Sequence, residues 1–325
     1  MGISVAVYDA YVSEWRRRLR ENYRPYRQRW PGHLFHHAPL ENVVKILTNG
    51  ELLSRNHAKE AAFLDVAGAG IIDHRNDAHN YGRLYFRPRT PTQYSIEGIR
   101  KLSDVRFNAH APTLYMLVFD ARCVLTIDST ECSNGNMQSW GTAHEPSEEF
   151  FAGLPFTEIY HEGSVGFTPE ILHRRCAEVL VQSPFRIKQS LKFIYCRSPA
   201  ERDMLSYELG PVAAQWIDRM IISDDLNVFE KRYSFIQTVD IGHSGVTFKV
   251  HPRSDNQEIE LRLRIKHGQE LISDDTFSRL PAVSKSGSSI WIKRAHLADG
   301  DYRVRIDIEG HKAYINSLTL GDALF

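Results

Sequence analysis

HRRCAEVLVQSPF, residues 173–185, poses the question on which the fold turns. Cys176 to Val181 is short, rich in β-branched residues and stopped by Pro184, so it reads as a buried β-strand rather than a helix. Strand alternation puts Glu178 on one face with Cys176 and Leu180, and Ala177, Val179 and Val181 on the other. Neither face is polar. An unpartnered carboxylate there would be neutralised or would cost several kcal/mol. Either Arg174 or Arg175 compensates Glu178, or a ligand does.

A chain of 325 residues accommodates a core plus an appendage, and two units are expected. Lys and Arg balance Asp and Glu at 40 each, so a nucleic-acid contact must come from a local patch rather than from net charge. Cys123, Cys132, Cys176 and Cys196 form no C-x-x-C pair and no zinc-finger spacing. They read as reduced thiols of a cytoplasmic protein. The N-terminus has no secretory pattern, and the apolar run Leu114 to Phe119 is too short to cross a bilayer, so a soluble protein is expected.

Upstream of the strand, residues 4–29 suggest an amphipathic helix with Val5, Tyr8, Tyr11, Val12, Trp15 and Leu19 on its apolar side. Its arginines, from Arg16 to Arg29, form either a solvated face or a phosphate-contacting arm. A short strand ending in His36 then enters a helix marked by Leu40, Val43, Val44 and Leu47 and closed by Gly50. Leu84 to Phe86 and Leu114 to Phe119 read as strands, with a helix around Ser95 to Leu102 between them. From Asp128 to Thr168 no long periodic segment stands out, which suggests a functional loop. Leu191 to Tyr195 is a further strand, and Ser198-Pro199 opens a helix with a serine cap. After about Tyr233 the pattern changes. Glu258 to Lys266 and Tyr302 to Ile308 alternate strictly, with Val246 to Val250 and Ser289 to Lys293 less cleanly, so an all-β module with one buried face is expected. The predicted division is 1–30 as a basic arm, 31–233 as the main domain and 234–325 as the β-rich unit.

Simpler chemistries do not fit. The clusters His33, His36, His37 and Asp73, His74, Asp77, His79 lack the spacing of a metal enzyme, so no metal is expected. Gly68-Ala69-Gly70 is too short for a dinucleotide fingerprint, which argues against a Rossmann fold. Cys176 has no paired histidine and is better explained by packing. His36, Arg75, Arg89 and Glu178 remain, dispersed over strand ends.

LFHHAPLENVVKILTNGELLS, GIIDHRNDAHNYGRLYFRPRTPTQY and HRRCAEVLVQSPF resemble, in order and spacing, the three signature blocks of the DarT family of DNA ADP-ribosyltransferase toxins. The resemblance runs from about Leu34 to Tyr233. Its most specific parts are the aromatic-histidine opening, the F-x-P-R-[ST]-P segment and the R-x-A-E-[FV]-L-V strand. It departs at His37-Ala38, where the family usually has Phe-Thr. It implies an α+β ADP-ribosyltransferase fold, a split mixed β-sheet around a cleft for NAD, followed here by the all-β module. It also implies that His36 holds the NAD ribose, with Asn42 a further cofactor contact. Arg75 would meet the phosphates or the leaving group, and Arg89 with Tyr85 and Phe86 would line the nicotinamide end. Glu178 would be the catalytic glutamate, and Asp128 to Thr168 the substrate loop.

Elementary chemistry agrees with those roles. Cleavage between nicotinamide and ribose creates an oxocarbenium-like centre, which a nearby carboxylate stabilises in a water-poor cleft. The same carboxylate can help deprotonate an incoming base nitrogen. Arginine binds a pyrophosphate bidentately, which suits Arg75 or Arg89. The competing readings are a salt-bridged structural Glu178, a solvated Arg89 and a core His36.

A base is reachable most cheaply in a single strand, which is gripped by basic grooves and aromatic stacking. Trp140, Phe150, Phe151, Phe156 and Tyr160 would stack, and Arg174 and Arg175 would contact phosphates. The resemblance leaves thymine and guanine of DNA open, and messenger RNA as a variant. It also implies an antitoxin, a macrodomain hydrolase or another inhibitor. The β-rich unit, outside the resemblance, reads as a docking surface for such a partner or as an extension of the nucleic-acid track, and its balanced charge favours docking. A protein-modifying enzyme and a catalytically dead nucleic-acid binder are the alternatives.

Overall fold

A computed structural model describes residues 2–60, 77–101, 103, 105, 110–166, 168–255, 257–279 and 289–321. Chain order begins with α1 (Val5–Arg18), β1 (His33–Pro39), α2 (Leu40–Asn49), β2 (Glu51–Leu52), α3 (Arg55–Glu60), β3 (Tyr81–Tyr85), α4 (Pro91–Ile96) and β4 (Leu114–Asp120). It continues through α5 (Ala121–Leu125), β5 (Glu131–Ser133), β6 (His144–Glu145), α6 (Glu148–Ala152), α7 (Phe156–Ile159) and α8 (Pro169–Arg174). Then come β7 (Glu178–Gln182), β8 (Phe185–Arg186), β9 (Leu191–Tyr195), α9 (Pro199–Leu209) and β10 (Met220–Ile221).

The main sheet has the order β10-β9-β4-β1-β3-β7-β5-β6 and is mixed, because β10 runs parallel to β9 while the other pairs are antiparallel. It is split in the middle. β1 pairs with β4 from His33↔Asp120 to Pro39↔Leu114, yet meets β3 in register only at Phe35↔Tyr85. Two blocks of strands therefore diverge from one shared point, and that opening positions the site.

Local signals explain most elements. In α2, Leu40, Val43, Ile46 and Leu47 are buried, and Gly50 caps the helix at φ 70, a left-handed conformation that favours glycine. Ser198 caps α9 by accepting from the Glu201 N–H, with Pro199 in the first turn. The N-terminal helix is shorter than its pattern suggests, ending at Arg18 instead of near 29. Leu19 turns the backbone out of the helix and is itself buried, and Pro25 disfavours helical backbone at Arg24. The helix expected around Ser95 to Leu102 lies earlier, at α4, where Thr90 accepts from the Gln93 N–H and Pro91 follows. Gly98, at φ 97, prevents its continuation.

The C-terminal region is all β: β11 (Ile236–Gly242), β12 (Gly245–Val250), β13 (Ile259–His267), β14 (Glu270–Arg279), β15 (Ser289–Arg294), β16 (Gly300–Ile308) and β17 (His311–Leu320). They form two sheets, β11-β12-β15 and β14-β13-β16-β17. Alternation holds as read, with Ile259, Leu261, Leu263 and Ile265 buried on β13 and Tyr302, Val304, Ile306 and Ile308 on β16. Trp291 lies between Phe248 and Phe277 and joins the sheets. Against the rest of the chain, Ser198 Oγ donates to Ile236 O at 2.6 Å and Lys312 Nζ meets Glu208 at 2.7 Å.

Candidate active site

β7 begins at Glu178, and Glu178, Val179, Leu180 and Val181 are all buried. Antiparallel register sets Tyr85 opposite Glu178 and Arg83 opposite Leu180. Tyr81, Arg83 and Tyr85 therefore share the β3 face that neighbours Glu178, while Leu84 turns into the core. Glu178 is 1% exposed. Its N–H donates to Ser133 Oγ at 2.8 Å, and that hydroxyl donates to Gly135 O at 2.7 Å. Oε1 accepts from the Met137 N–H at 3.4 Å. Oε2 stands 3.5 Å from Arg83 Nε and has no hydrogen-bond partner among the described residues. Burial raises the carboxyl above its ordinary range, while Arg83 and the Met137 N–H oppose that shift.

The opposing strand contributes histidines. His36 Nδ1 lies 2.9 Å from Arg83 O, so this nitrogen carries the proton and bridges the diverging strands. Burial lowers its pKa. His37 stacks on Tyr85 with ring centroids 5.3 Å apart, and burial together with His36 pushes its pKa down to about 3. Tyr85 is raised well above its usual range, first by burial and then by Glu178. Asn42 lies on α2, directly after β1, and is half-buried. The Cys176 thiol is buried and pushed up to about 12, so it is a packed thiol rather than a nucleophile.

The partner of Glu178 is not the expected one. Arg174 donates to Asn134 O at 2.6 Å and pairs with Glu170 at 3.1 Å, and Arg175 donates to Gly163 O. Both lie before the strand, where α8 ends, and turn toward the loop instead of along β7. Arg83, absent from the sequence expectations, takes that place. Its signal was readable only through pairing: two residues before Tyr85 on the same face, it becomes relevant once β3 is laid against β7.

Other expected residues fall elsewhere. Phe151 and Tyr160 are 2% and 0% exposed, so they cannot stack on a base as expected. The reason is α1, whose Tyr11 packs on Phe151 and Phe156 and whose Trp15 packs on Phe156 and Tyr160. Phe86 is likewise 0% exposed and packs on Phe151 and Phe156 instead of facing the cleft. Trp140 differs. At 77% exposed it stands on a turn held by Thr142 Oγ1 donating to Asn136 O at 2.6 Å, three residues beyond Met137. Arg89 takes φ 53, unusual for a residue with a side chain, and its guanidinium meets Glu162. Arg75 lies outside the described residues, as do Gly68 to Gly70, Asp73 and His74. Among the described residues, no group of three or more His, Cys, Asp and Glu converges to hold a metal ion, and no helix is long and apolar enough to cross a membrane.

A split sheet with a buried, proton-affine carboxylate at its opening, flanked by a tyrosine, a histidine and an arginine, suits a reaction that develops positive charge in a water-poor cleft. The DarT of Thermus sp. 2.9 in complex with ADP-ribosylated ssDNA is similar at 21% identity and TM-score 0.48, over 60% of this chain and 96% of that one. Its complex with NAD+ gives 19% and 0.47 over 60% and 97%. DarTG of Thermosipho africanus in complex with ADP-ribose gives 16% and 0.43 over 59% and 50%. No curated protein matches the chain. The family model described as "ssDNA thymidine ADP-ribosyltransferase, DarT" matches residues 35–215, more than half of the sequence, from within β1 to beyond α9. The chain belongs to the DarT family of ssDNA thymidine ADP-ribosyltransferases.

Proposed function

We propose that the protein transfers ADP-ribose from NAD to a thymine base of single-stranded DNA, with Glu178 as the catalytic carboxylate. The observation that carries this reading is the Glu178 Oε2 atom, buried and without a hydrogen-bond partner among the described residues, at the point where the sheet divides. A carboxylate kept dry in this way costs stability, and a ligand that supplies charge or a hydroxyl to it removes that cost. NAD fits the chemistry of the donor set. When bound it supplies the ADP-ribose, with positive charge developing at the ribose carbon as nicotinamide leaves.

The chain's own residues then have distinct work. Glu178 stabilises that charge and accepts the proton of the acceptor base. Arg83 favours the ionised carboxylate, against the burial that raises its pKa. His36 and Asn42, at the β1 side of the split, bind the donor, while Tyr85 with His37 beside it forms an aromatic wall. Trp140 stacks on the exposed strand.

We also infer that the protein is a toxin paired with an antitoxin, a macrodomain hydrolase or another inhibitor, since unchecked modification of thymine would stall replication in the producing cell. Three units, 1–30, 31–233 and 234–325, remain the proposed division. The last lies outside the family match, which supports its use as the docking surface for that partner. The family description names single-stranded DNA, which leaves the RNA alternative without support.

The test is to incubate the protein with NAD and matched oligonucleotides that contain thymine, or have it replaced by uracil or cytosine, in DNA and RNA forms. A mass increase of one ADP-ribose restricted to thymine-containing DNA is expected. Labelled protein with unlabelled oligonucleotides would instead indicate a protein-modifying enzyme.

A further inference from the structure

Glu162 enters a cluster of guanidinium groups that the chemistry at Glu178 does not use. Its Oε2 lies 3.8 Å from Arg24 Nε and 3.7 Å from Arg27 Nε, and accepts from Tyr26 Oη at 3.0 Å. Its Oε1 lies 3.7 Å from Arg87 Nη2 and accepts from Arg89 Nη2. Arg175 stands close enough that it and Arg89 both disfavour the charge of Arg87, whose pKa falls to about 9 with burial as the largest cause.

One carboxylate serves this cluster poorly. A planar carboxylate matches a single guanidinium fork, and three of the four arginines around Glu162 stand beyond good hydrogen-bond distance. Arg27 Nε, Arg89 Nε and Arg175 Nε are buried without hydrogen-bond partners among the described residues. Glu21 pairs with Arg27 at 2.7 Å, and Glu230 acts on Arg87, Arg89 and Arg175, so among these described residues five cations meet three anions. Placement adds to the argument. Arg87 and Arg89 follow Tyr85 by two and four residues, and Arg175 precedes Glu178 by three, so the cluster adjoins the Tyr85↔Glu178 end of the β3–β7 pair. Glu162 hangs from a segment in which Gly163, Ser164, Gly166 and Thr168 are exposed, although its own side chain is 7% exposed. Arg24 and Arg27 come from the N-terminal segment, outside the family match.

We propose that this cluster is a phosphate-binding site for the backbone of the single-stranded DNA acceptor, occupied in the free protein by Glu162 as an internal carboxylate stand-in. A phosphodiester carries the same charge as Glu162 but presents tetrahedrally arranged oxygens, which reach more of the converging guanidiniums. Displacing Glu162 would leave its carboxylate on the exposed segment, in water. The proposal rests on the single-stranded DNA reading above and extends it to where the strand is gripped and to the use of the N-terminal arm.

The test is equilibrium binding of a fluorescent thymine-containing oligonucleotide to the full chain, without NAD, at several salt concentrations. Arg24, with its side chain 32% exposed, can be replaced without opening the core, and Glu162→Gln keeps the shape of the side chain. Arg24→Ala is expected to weaken binding several-fold and to reduce the slope of log K against log salt by about 0.7, the value for one phosphate on a single strand. Glu162→Gln is expected to tighten binding several-fold, because the competing charge is gone. Unchanged affinity and slope in both variants, with the parent protein binding, overturns the proposal alone. So does a loss in Arg24→Ala that appears in NAD affinity, measured calorimetrically, and not in DNA affinity, since that assigns the cluster to a pyrophosphate. No binding by the parent protein overturns both this site and the DNA substrate. Melting curves of both variants identify any that fail to fold, and Arg24→Gln then replaces Arg24→Ala.

Discussion

Arg83 Nε stands 3.5 Å from Glu178 Oε2, while the carbonyl of the same Arg83 accepts from His36 across the split in the sheet. One residue thus couples the two blocks of strands, its backbone fixing the histidine and its side chain favouring the ionised glutamate. The pairing is an ion pair at the margin of hydrogen-bond distance, so the carboxylate keeps capacity for a ligand.

Arg83→Ala removes the cation that lowers the Glu178 pKa, which burial has already raised. The ionised form then requires a higher pH. The acidic limb of the rate against pH is expected to move upward, and activity near neutrality to fall about 10-fold or more. A pH profile of oligonucleotide modification checks this, and an unmoved limb would assign Arg83 to structure.

Glu178 also affects stability. Its raised pKa means that the folded state binds this proton more tightly than the unfolded state, so stability falls as pH rises from the ordinary carboxylate range through the raised value. Glu178→Gln removes that term. Melting temperatures of the variant are expected to equal or exceed those of the parent once pH rises above the raised value, with the difference vanishing in acid.

His37 works in the opposite sense. With its pKa pushed down to about 3, it binds fewer protons in the folded state than in the unfolded state. Stability is lost as pH falls from about 6.5 toward that value. His37→Phe, which keeps an aromatic ring beside Tyr85, is expected to flatten this dependence, and NMR of the parent should show a neutral His37 throughout the neutral range.

Tyr160 and Trp140, both candidate stacking surfaces by sequence, should separate by experiment. Tyr160→Ala opens a buried site under α1 and is expected to cost about 3 kcal/mol or more in denaturant unfolding. Trp140→Ala should leave stability unchanged and weaken oligonucleotide binding by about 1–3 kcal/mol.

That separation shows what the sequence could convey. The strand at Glu178, the cap at Gly50, the helix opened by Ser198 and the alternating C-terminal strands were legible because each depends on local signals: periodicity, glycine at positive φ, a capping hydroxyl. The Glu178–Arg83 pair was not, since it arises from the register between β3 and β7, 95 residues apart in the case of Arg83 and Glu178. Nor was the burial of Tyr160, which α1 imposes from the N-terminal segment. An aromatic residue in an irregular segment looks the same in sequence whether it meets DNA or a distant helix. His36 and Glu178 were readable through their signature blocks, whereas Arg83, which links them, carried no motif of its own.

The central claim is that the carboxylate of Glu178, rather than the binding of either substrate, makes transfer possible. Its most direct measurement compares parent and Glu178→Gln for NAD affinity, oligonucleotide affinity and single-turnover transfer read by mass. Affinities within a few-fold of the parent, with transfer slowed by at least about 100-fold, are predicted. Transfer at the parent rate in the variant would contradict the account.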